Sequence, residues 1–516
     1  MEKGKAKICV PVCVRRAHEL ADHIKRAQEV ADVVELRIDY VESTEVDAAL
    51  KESSSLPRTT SLPFILTFRP AEQGGGRPIA VTERAEFWLH KSQLGAPNSF
   101  FDFADVELEL LESDDIRRQF SSERLICSHH DFVGVPGDLE IIYNRMAAMS
   151  ASILKIAVQA ADATDCIPIF NLLDRAQREG RELIAIAMGQ AGVMTRILGP
   201  SRGSFLTYGS LDEDSTTAPG QVTARELREV YRIDSIDRAT EIMGVIGRPV
   251  AHSISPYIHN AAFALADLNA VFLPFEVHDL DGFIRRMVRN NSREIEWNLR
   301  GFAVTAPHKS AVMKHLDWIE PAAKEIGAVN TIVVQEGGLH GYNTDAAAFI
   351  EPLKHRLESL EGLRCGVIGA GGAARAVANA LLRKRAMVEV FARNPDQAKA
   401  ITSDFGIEYR SLADANFNGF DVVINATPLG TRGELETETP VTAEQLRGVR
   451  LAYDLVYNPL ETQFLREARQ AGCETVGGLE MLIAQAVEQF RLWTAKEPDV
   501  EAMRDAAKRA LNNSGL

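Results

Sequence analysis

One lysine, Lys155, lies in the middle of an apolar run, ASILKIAVQA, that is typical of a buried strand. A charged amine is costly inside a protein, so burial lowers the pKa of a lysine from about 10.4 toward neutrality. A neutral amine attacks ketones, and the protonated imine that results acidifies the adjacent C–H bond. The alternative is a lysine that pairs with a buried carboxylate or extends to solvent. Lys155 is therefore a candidate nucleophile with a structural alternative.

Polar side chains accumulate where the neighbouring strand-like runs end. Glu35 and Arg37 end the second run, Arg69 the third, Glu107 the fourth, and His129, His130 and Asp131 the fifth. Taken singly, each has a structural explanation, such as a salt bridge, a helix cap or a core histidine. Taken together, several arginines and a histidine around an imine-forming lysine predict a site for a small carboxylated ketone, in which the histidine carries protons.

The first half of the chain alternates strand-like and helix-like runs. The strand-like runs are KICVPVC, DVVELRID, PFILTFR, FADVELEL, RLICSHH, ILKIAV, LIAIAM and FLTYGS. Eight such units within roughly 235 residues predict an N-terminal (β/α)8 TIM barrel over 1–235, a fold that places catalytic residues at the carboxyl ends of its strands. An open doubly wound sheet is the alternative.

The second half begins a new α/β pattern at MGVIGRPVAHSISP. We expect an α/β domain over 241–345, completed by C-terminal helices over 481–516, and a Rossmann-type domain over 346–480. In the latter, GVIGAGGAARA follows an apolar strand and opens a helix, as a G-x-G-x-x-[GA] dinucleotide motif requires. The motif positions are Gly369, Gly371 and Ala374, and the cofactor-binding candidates are Gly369, Ala370, Gly371, Gly372 and Ala373. A glycine-rich turn without a ligand is the alternative.

The strand after this turn, MVEVFARN, indicates which dinucleotide binds. An NAD site normally has an acidic residue at the end of this strand for the ribose hydroxyl. Here the strand ends in Ala392 and Arg393, with Asn394 and Lys399 nearby. These side chains suit a 2′-phosphate, so NADP is favoured over NAD; a solvated surface arginine is the alternative.

Composition excludes several classes of partner. The formal net charge is −15 at pH 7, so no basic face for nucleic acid or anionic membrane is expected. The six cysteines are scattered without zinc-ligand spacing, so we expect no metal. Without a leader or a bilayer-spanning run, the sequence predicts a cytoplasmic protein, or a plastid protein whose transit peptide was removed. Small-molecule substrates and no obligate protein partner are expected.

Six motifs of the first half, spread over residues 7–232, resemble type I 3-dehydroquinate dehydratase. They are ELRID, TFR followed by Gly-Gly, SHHDF, LKIAV, GVMTRILG and APGQ. The resemblance implies that Lys155 forms a Schiff base with 3-dehydroquinate. His130 would take a proton from the adjacent carbon and then protonate the departing hydroxyl. The substrate-binding residues would be Glu35, Arg37, Arg69, Gln73, Arg196, Thr217 and Gln221.

The chain departs from that family at two positions. Gln73 stands where glutamate is usual before the Gly-Gly pair, and Glu72 lies one place earlier. Which of these two residues orients His130, if either does, is left open. Thr217 stands where serine is usual, and we expect its hydroxyl to keep the contact.

Residues 242 to about 512 resemble shikimate dehydrogenase through PVAHSISP, VTAPHK, GAVNT, GYNTD, INATPLG, YDLVYNP and GGLEMLIAQA. Singly, these motifs are ordinary turns, caps or surface residues. The resemblance implies that Lys309 and Asp345 form an acid/base pair, since a carbonyl under reduction needs a proton donor within reach. Shikimate would contact Ser253, Ser255, Thr305, Asn330, Asp345 and Gln485. The nicotinamide side would be lined by Thr427, Tyr457 and Gly478.

The two resemblances together imply consecutive reactions in one chain. The first half would dehydrate 3-dehydroquinate to 3-dehydroshikimate, and the second would reduce that product to shikimate with NADPH. Two alternatives remain at this point. The second half also suits oxidation of quinate, and a chain whose catalytic sites have decayed would act as a metabolite sensor.

Overall fold

The structure, a computed structural model, describes residues 6–55, 62–91, 100–354 and 356–513. The ends of the predicted domains, 1–5 and 514–516, lie outside this part of the chain. Two compact units are present. The first comprises Met1–Glu241 and Leu273–Asn298, and the second comprises Ile242–Phe272 and Leu299–Leu516. None of the described helices is long and apolar enough to cross a membrane.

The first half forms a parallel eight-stranded sheet in the order β7-β6-β5-β4-β3-β2-β1-β8. Its strands are β1 (Ile8–Val12), β2 (Val33–Arg37), β3 (Phe64–Thr67), β4 (Phe103–Glu107), β5 (Leu125–Asp131), β6 (Ile153–Gln159), β7 (Glu182–Met188) and β8 (Thr207–Tyr208). A parallel bridge between Leu183 and Ser204 joins β7 to the residues before β8. The predicted (β/α)8 barrel is thereby confirmed, and the open sheet is not formed.

Helices follow the barrel strands along the chain. They are α1 (Leu20–Gln28), α2 (Val46–Ser55), α3 (Val81–Glu86), α4 (Leu108–Leu111), α5 (Asp114–Arg117), α6 (Leu139–Ala147), α7 (Ile167–Glu179), α8 (Val193–Leu198) and α9 (Ala224–Glu229). Inside the barrel, alternate strand residues such as Ile126, Ile153 and Ile184 form an apolar layer. Because side chains alternate along a strand, Lys155 points to the same side as Ile153, which is the barrel interior.

The second half begins with a mixed six-stranded sheet in the order β10-β9-β11-β13-β14-β12. Its strands are β9 (Glu241–Gly247), β10 (Ala270–Glu276), β11 (Asn298–Val304), β12 (Trp318–Ile319), β13 (Thr331–Gln335) and β14 (Gly338–Tyr342). The helices along this stretch are α10 (Ser255–Leu265), α11 (Leu280–Phe283), α12 (His308–Ala311), α13 (Pro321–Ile326) and α14 (Asp345–Lys354).

A parallel six-stranded sheet follows, in the order β17-β16-β15-β18-β19-β20. Its strands are β15 (Arg364–Ile368), β16 (Met387–Ala392), β17 (Glu408–Ser411), β18 (Val422–Asn425), β19 (Leu451–Asp454) and β20 (Glu474–Val476). Its helices are α15 (Gly372–Arg383), α16 (Pro395–Phe405) and α17 (Gln463–Gln470), and two helices end the chain, α18 (Leu479–Thr494) and α19 (Val500–Asn513). This strand order is that of the Rossmann fold, which was predicted, and it reverses between β15 and β18, where such sheets bind ligands.

The two C-terminal helices pack on the mixed sheet. Phe490 and Trp493 of α18 and Met503 of α19 share a core with Phe263 of α10 and Phe272 of β10. The last two helices therefore share the core of the mixed sheet. Lys309 follows strand β11 of that sheet. The exact domain boundaries given by the sequence stay a prediction.

Candidate active sites

Lys155 lies in a polar cluster inside the barrel, with only 4 % of its surface exposed. Its Nζ donates to Asp105 Oδ2 at 2.7 Å, to the Tyr208 hydroxyl at 2.7 Å and to Glu35 Oε1 at 3.3 Å. The nearest neighbours of the amine are therefore polar, because two carboxylates and a hydroxyl face it. The structure contains the buried ion pair that was the alternative for Lys155. Lys155 also lines a cavity.

Asp105 is the centre of this cluster, and sequence reasoning missed it. Its Oδ2 contacts both Lys155 and Arg69 Nη2, the latter at 2.6 Å. Although burial opposes ionisation, the charges of Arg69 and Lys155 hold the pKa of Asp105 well below its usual value. One signal was available: Asp105 lies two residues before Glu107, so both side chains lie on the same face of β4. Tyr208, in FLTYGS, was missed as well.

His130 lies at the end of β5, where its ring hydrogen-bonds the guanidinium of Arg69. Burial and the positive charges of Arg69 and Lys155 lower the pKa of His130 well below its usual value. The imidazole is therefore neutral near pH 7, as a general base must be. Glu72 is exposed and Gln73 lines the cavity, but within the described residues the hydrogen-bond partner of His130 is Arg69.

The arginines of the barrel differ in how their charges are compensated. Arg37 pairs with Asp39 at 2.7 Å and donates to the carbonyl of Gly74. Arg196 is 2 % exposed, and among the described residues it pairs with no carboxylate. Burial lowers its pKa to about 10. A buried guanidinium without a counter-ion suits the carboxylate of a ligand.

The barrel cavity brings together every substrate-binding and catalytic residue predicted for the first half. Its lining includes Glu35, Arg37, Arg69, Gln73, His130, Lys155, Arg196, Thr217 and Gln221. Buried polar atoms without a partner in the described residues point to a polar ligand: Asp105 Oδ1, Gln73 Oε1 and Arg196 Nε. The cavity volume is about 50 Å³, which is room for one or two waters.

A larger cavity of about 660 Å³ lies wholly within the second compact unit. Its lining includes the predicted residues Ser253, Ser255, Thr305, Lys309, Asn330, Asp345, Ala373, Thr427, Tyr457, Gly478 and Gln485. Lys309 Nζ lies 2.5 Å from Asp345 Oδ2, and Asn330 Nδ2 donates to Asp345 Oδ1 at 2.7 Å. The amine is thus held at the cavity wall by a carboxylate that is itself fixed from its other oxygen.

A buried polar network, also missed from the sequence, lies beneath the loops that carry Thr427 and Tyr457. Asn425 Oδ1 accepts from the backbone and hydroxyl of Thr427, and Asn425 Nδ2 donates to Asp454 Oδ1 at 2.9 Å. Asp454 also accepts from the backbone of Val456 and from the hydroxyl of Thr462. Burial raises the pKa of Asp454 to about 6. One feature indicated that Asp454 belongs to a polar network: it is the last residue of strand β19.

The glycine-rich turn between β15 and α15 has the shape of a dinucleotide site. Gly369 has φ +121°, a conformation that glycine adopts readily, and an added Cβ would lie 2.8 Å from the carbonyl of Ala426. A Cβ at Gly371 would meet nothing within 4 Å. The turn ends at the N-terminus of a twelve-residue helix, whose dipole and free amides attract phosphate.

The remaining cofactor candidates lie outside the large cavity. Ala373 is the residue of the turn 369–373 that lines it. Arg393, Asn394 and Lys399 are exposed, at the end of β16 and in α16. This edge of the parallel sheet is where the 2′-phosphate of a dinucleotide lies in Rossmann folds, so the residues present fit NADP.

Comparisons with known protein families give matches in both halves of the chain. Residues 8–238 match the family type I 3-dehydroquinase. Residues 245–332 match the shikimate dehydrogenase substrate binding domain, 351–439 match shikimate / quinate 5-dehydrogenase, and 478–508 match the shikimate 5'-dehydrogenase C-terminal domain.

Individual relatives cover one half or the whole chain. A bifunctional 3-dehydroquinate dehydratase/shikimate dehydrogenase of Arabidopsis thaliana, a chloroplastic protein, is 34% identical over 95% of this chain and 82% of its own length. A shikimate dehydrogenase (NADP(+)) of Methanocaldococcus jannaschii is 39% identical over 52% of this chain and 97% of its own. A crystal structure of shikimate 5-dehydrogenase from Thermus thermophilus with NADP(H) and shikimate has 40% identity and a TM-score of 0.47, covering 53% of this chain and 100% of the other. The chain belongs to the family of bifunctional 3-dehydroquinate dehydratase/shikimate dehydrogenases.

Proposed function

We propose that each half of the chain catalyses the reaction of the family it belongs to. The protein is a lyase and an NADP-dependent oxidoreductase: it dehydrates 3-dehydroquinate to 3-dehydroshikimate and reduces that product to shikimate. The observation that carries this conclusion is the presence, in one chain, of a Lys155–His130 cavity and a Lys309–Asp345 cavity. The decayed sensor is not favoured, since both sets of catalytic side chains are retained, and the quinate dehydrogenase is not favoured, since the relatives of the second half are shikimate dehydrogenases.

In the barrel, Lys155 attacks the ketone carbon and the carbonyl oxygen leaves as water, which forms a protonated imine. Asp105, Glu35 and the Tyr208 hydroxyl hold the amine in place, and the hydrogens that its nitrogen loses leave in the water. Neutral His130 then takes a proton from the adjacent carbon. The same imidazolium returns the proton to the departing hydroxyl, a second water is lost, and hydrolysis of the imine frees Lys155 and the unsaturated ketone.

The substrate in the barrel is held by the remaining lining residues. Arg196 pairs with the carboxylate, since its guanidinium is buried without a counter-ion. The hydroxyls of the substrate are bound by the polar lining residues Glu35, Arg37, Arg69, Gln73, Thr217 and Gln221. Thr217 and Gln221 already contact each other, with the Thr217 hydroxyl donating to Gln221 Oε1 at 3.2 Å.

In the second cavity, Lys309 donates a proton to the carbonyl oxygen as that carbonyl is reduced, and Asp345 orients the amine. When bound, NADPH supplies the hydride. The substrate lies against Ser253, Ser255, Thr305, Asn330 and Gln485, and Thr427, Tyr457 and Gly478 line the nicotinamide side. The turn 369–373 holds the pyrophosphate, and Arg393, Asn394 and Lys399 hold the 2′-phosphate.

The organisation and setting of the protein follow from the same proposal. The barrel comprises 1–235, the substrate domain 241–345 with helices over 481–516, and the NADP domain 346–480. The substrates are small molecules, and no obligate protein partner is required for either reaction. The compartment is the cytoplasm, or a plastid as for the chloroplastic Arabidopsis relative.

The test uses the purified full chain with 3-dehydroquinate and NADPH, and follows loss of NADPH absorbance. The wild type oxidises NADPH; absence of oxidation would contradict the two-reaction proposal. Lys155→Ala fails with 3-dehydroquinate but still oxidises NADPH with 3-dehydroshikimate. Borohydride added with 3-dehydroquinate leaves a mass adduct on Lys155 in the wild type, and an unmodified lysine would refute the imine.

A further inference from the structure

Lys309 and Asp345 lie on helices α12 and α14, whereas the glycine-rich turn lies between β15 and α15, and hydride transfer requires the two to be aligned. Arg375, in the first turn of α15, contacts both α13 and α16 and has no role in the reactions described above. Its side chain is 14% exposed. Its Nε donates to the carbonyl of Ile326 at 2.7 Å, and its Nη2 lies 2.6 Å from Asp404 Oδ2. The guanidinium also lies over the ring of Phe405. Both ends of this fork are therefore fixed, one on each side of the helix.

The carbonyl that Arg375 holds begins the segment 326–330, which hydrogen-bonds to both residues of the acid/base pair. Three residues after Ile326, the backbone amide of Val329 donates to the carbonyl of Lys309 at 2.8 Å. The next residue, Asn330, donates from Nδ2 to Asp345 Oδ1 at 2.7 Å. Each step from Arg375 to the catalytic pair is thus a direct hydrogen bond or a few covalent bonds of the backbone.

Two further contacts limit the movement of the same segment. The hydroxyl of Ser310 donates to the carbonyl of Gly327 at 2.9 Å. On the cofactor side, a Cβ added at Gly372 would lie 3.2 Å from Lys309 Cδ and 3.3 Å from Lys309 Cβ. The side chain of Lys309 therefore passes directly over the start of α15, so a shift of that helix against the 326–330 segment moves the amine.

We infer that Arg375 is a positioning residue of the reductase: it fixes the cofactor-binding end of α15 against the 326–330 segment and so aligns Lys309 and Asp345 with the bound nicotinamide. This inference rests on the proposed function of the second cavity. Among the described residues, Arg375 makes no hydrogen bond or ion pair with Lys309 or Asp345, and it is not one of the residues that line the large cavity. Its effect is therefore on the rate of the chemical step, with little effect on substrate binding.

Arg383 provides a matched control on the same helix. It lies two turns after Arg375 and also contacts α13, through an ion pair with Glu325 Oε2 at 2.7 Å. However, it is 56% exposed, and its ion-pair partner Glu325 lies outside the 326–330 segment. Arg383→Met removes an ion pair between the same two helices without releasing the carbonyl of Ile326.

The experiment measures reduction of 3-dehydroshikimate by NADPH in full-length Arg375→Met, Arg375→Lys and Arg383→Met, with the urea unfolding midpoint of the same samples as the control for folding and their dehydratase activity as the control for concentration. For Arg375→Met we expect kcat to fall about tenfold or more, with both KM values changed by less than about threefold, because sub-ångström misalignment acts on the chemical step. The primary isotope effect with 4-deuterated NADPH rises. Arg375→Lys recovers part of kcat, and Arg383→Met stays at the wild-type rate.

Other outcomes overturn the inference. A raised KM for NADPH with unchanged kcat would make Arg375 a cofactor-binding residue, and wild-type kinetics would give it no role. If Arg375→Met does not fold, Arg375→Lys decides, since it replaces the guanidinium that holds Ile326 and Asp404 by a single amine: an unchanged kcat in that variant contradicts the inference. An inactive wild type would instead refute the proposed function, so the two failures are distinguishable.

Discussion

Asp105 Oδ2 lies 2.7 Å from Lys155 Nζ, although 50 residues separate them in sequence. The same oxygen contacts Arg69, which in turn hydrogen-bonds His130. One carboxylate therefore connects the candidate nucleophile to the candidate base. A change at Asp105 is expected to affect both at once.

Asp105→Asn tests this connection. The variant keeps the shape of the side chain but removes the charge shared by Lys155 and Arg69, so dehydratase kcat/KM should fall by about tenfold to a hundredfold. Reduction of 3-dehydroshikimate by the same sample should be unaffected. Asp114→Asn, an equivalent change at a residue 59% exposed, serves as the control. Wild-type dehydratase activity in Asp105→Asn would show that the carboxylate has no part in the reaction.

The pH dependence of the dehydratase follows from His130. Its pKa lies well below the usual 6.5, because burial, Arg69 and Lys155 all disfavour the protonated ring. The base is active when neutral, so activity is lost only as the pH falls through this lowered pKa. We expect the acidic limb of log kcat/KM, measured with 3-dehydroquinate, to lie below pH 6.5. A limb at or above that value, assigned by its loss in His130→Ala, would contradict the lowered pKa.

Arg196→Met separates binding from stability. Charge-assisted hydrogen bonds contribute about 1.5–3 kcal/mol, so KM for 3-dehydroquinate should rise about tenfold or more. The free energy of unfolding without ligand should not fall, because a buried charge without a counter-ion is removed. Arg202→Met is the control, since Arg202 is also buried and burial also lowers its pKa to about 10, yet it lines neither cavity. An unchanged KM in Arg196→Met would exclude it from carboxylate binding.

Asp454 should make the stability of the protein depend on pH. Burial raises the pKa of Asp454 to about 6, above the value of 3.8 for the free carboxyl. A raised pKa in the folded state contributes stability that is complete below the unfolded pKa and is lost as the pH rises through about 6. Between about pH 5 and about pH 7 this contribution falls by about 1 kcal/mol.

Urea unfolding of the wild type and Asp454→Asn at those two pH values measures the difference. We expect the change in the free energy of unfolding between the two pH values to lose the part due to Asp454 in the variant. The other titrating groups contribute equally to both proteins. The control is Asp421→Asn, which changes another carboxyl in the same sheet. Asp421 lies just before strand β18, and its carboxyl accepts a hydrogen bond from the backbone amide of Arg364. If the free energy of unfolding differs between wild type and Asp454→Asn by the same amount at both pH values, the raised pKa is ruled out.

Much of the architecture was predictable because it depends on local periodicity. Strand and helix periods alternate along the first half, and the glycine-rich turn follows an apolar strand, so the barrel and the Rossmann sheet followed from the sequence. Glu35, Arg37, Arg69 and His130 were predictable for a similar reason, since the carboxyl ends of neighbouring barrel strands converge. The remaining substrate-binding residues predicted for the barrel cavity followed only from the resemblance to type I 3-dehydroquinate dehydratase. Lys155, His130, Lys309 and Asp345 all belong to motifs with a fixed order.

The surroundings of these residues were harder to predict. Tyr208 and Asp105 reach Lys155 from strands 53 and 50 residues away, so their contacts depend on how three strands are arranged in the closed barrel. The apolar residues next to Lys155 in the sequence belong to its own strand, whereas its polar partners come from other strands. Asn425 and Asp454 likewise meet only because β18 and β19 pair in register. Within one strand, no periodic pattern encodes such a contact.

The two cavities, each enclosed within its own compact unit, make the chain its own reporter. As long as the reductase half is the faster of the two, every dehydration is followed by the loss of one NADPH, so barrel variants can be ranked by absorbance without an added coupling enzyme. A library built around Lys155 can thus be screened in a single well. The same well, supplied with 3-dehydroshikimate, separates variants that lost the first reaction from those that lost the whole protein.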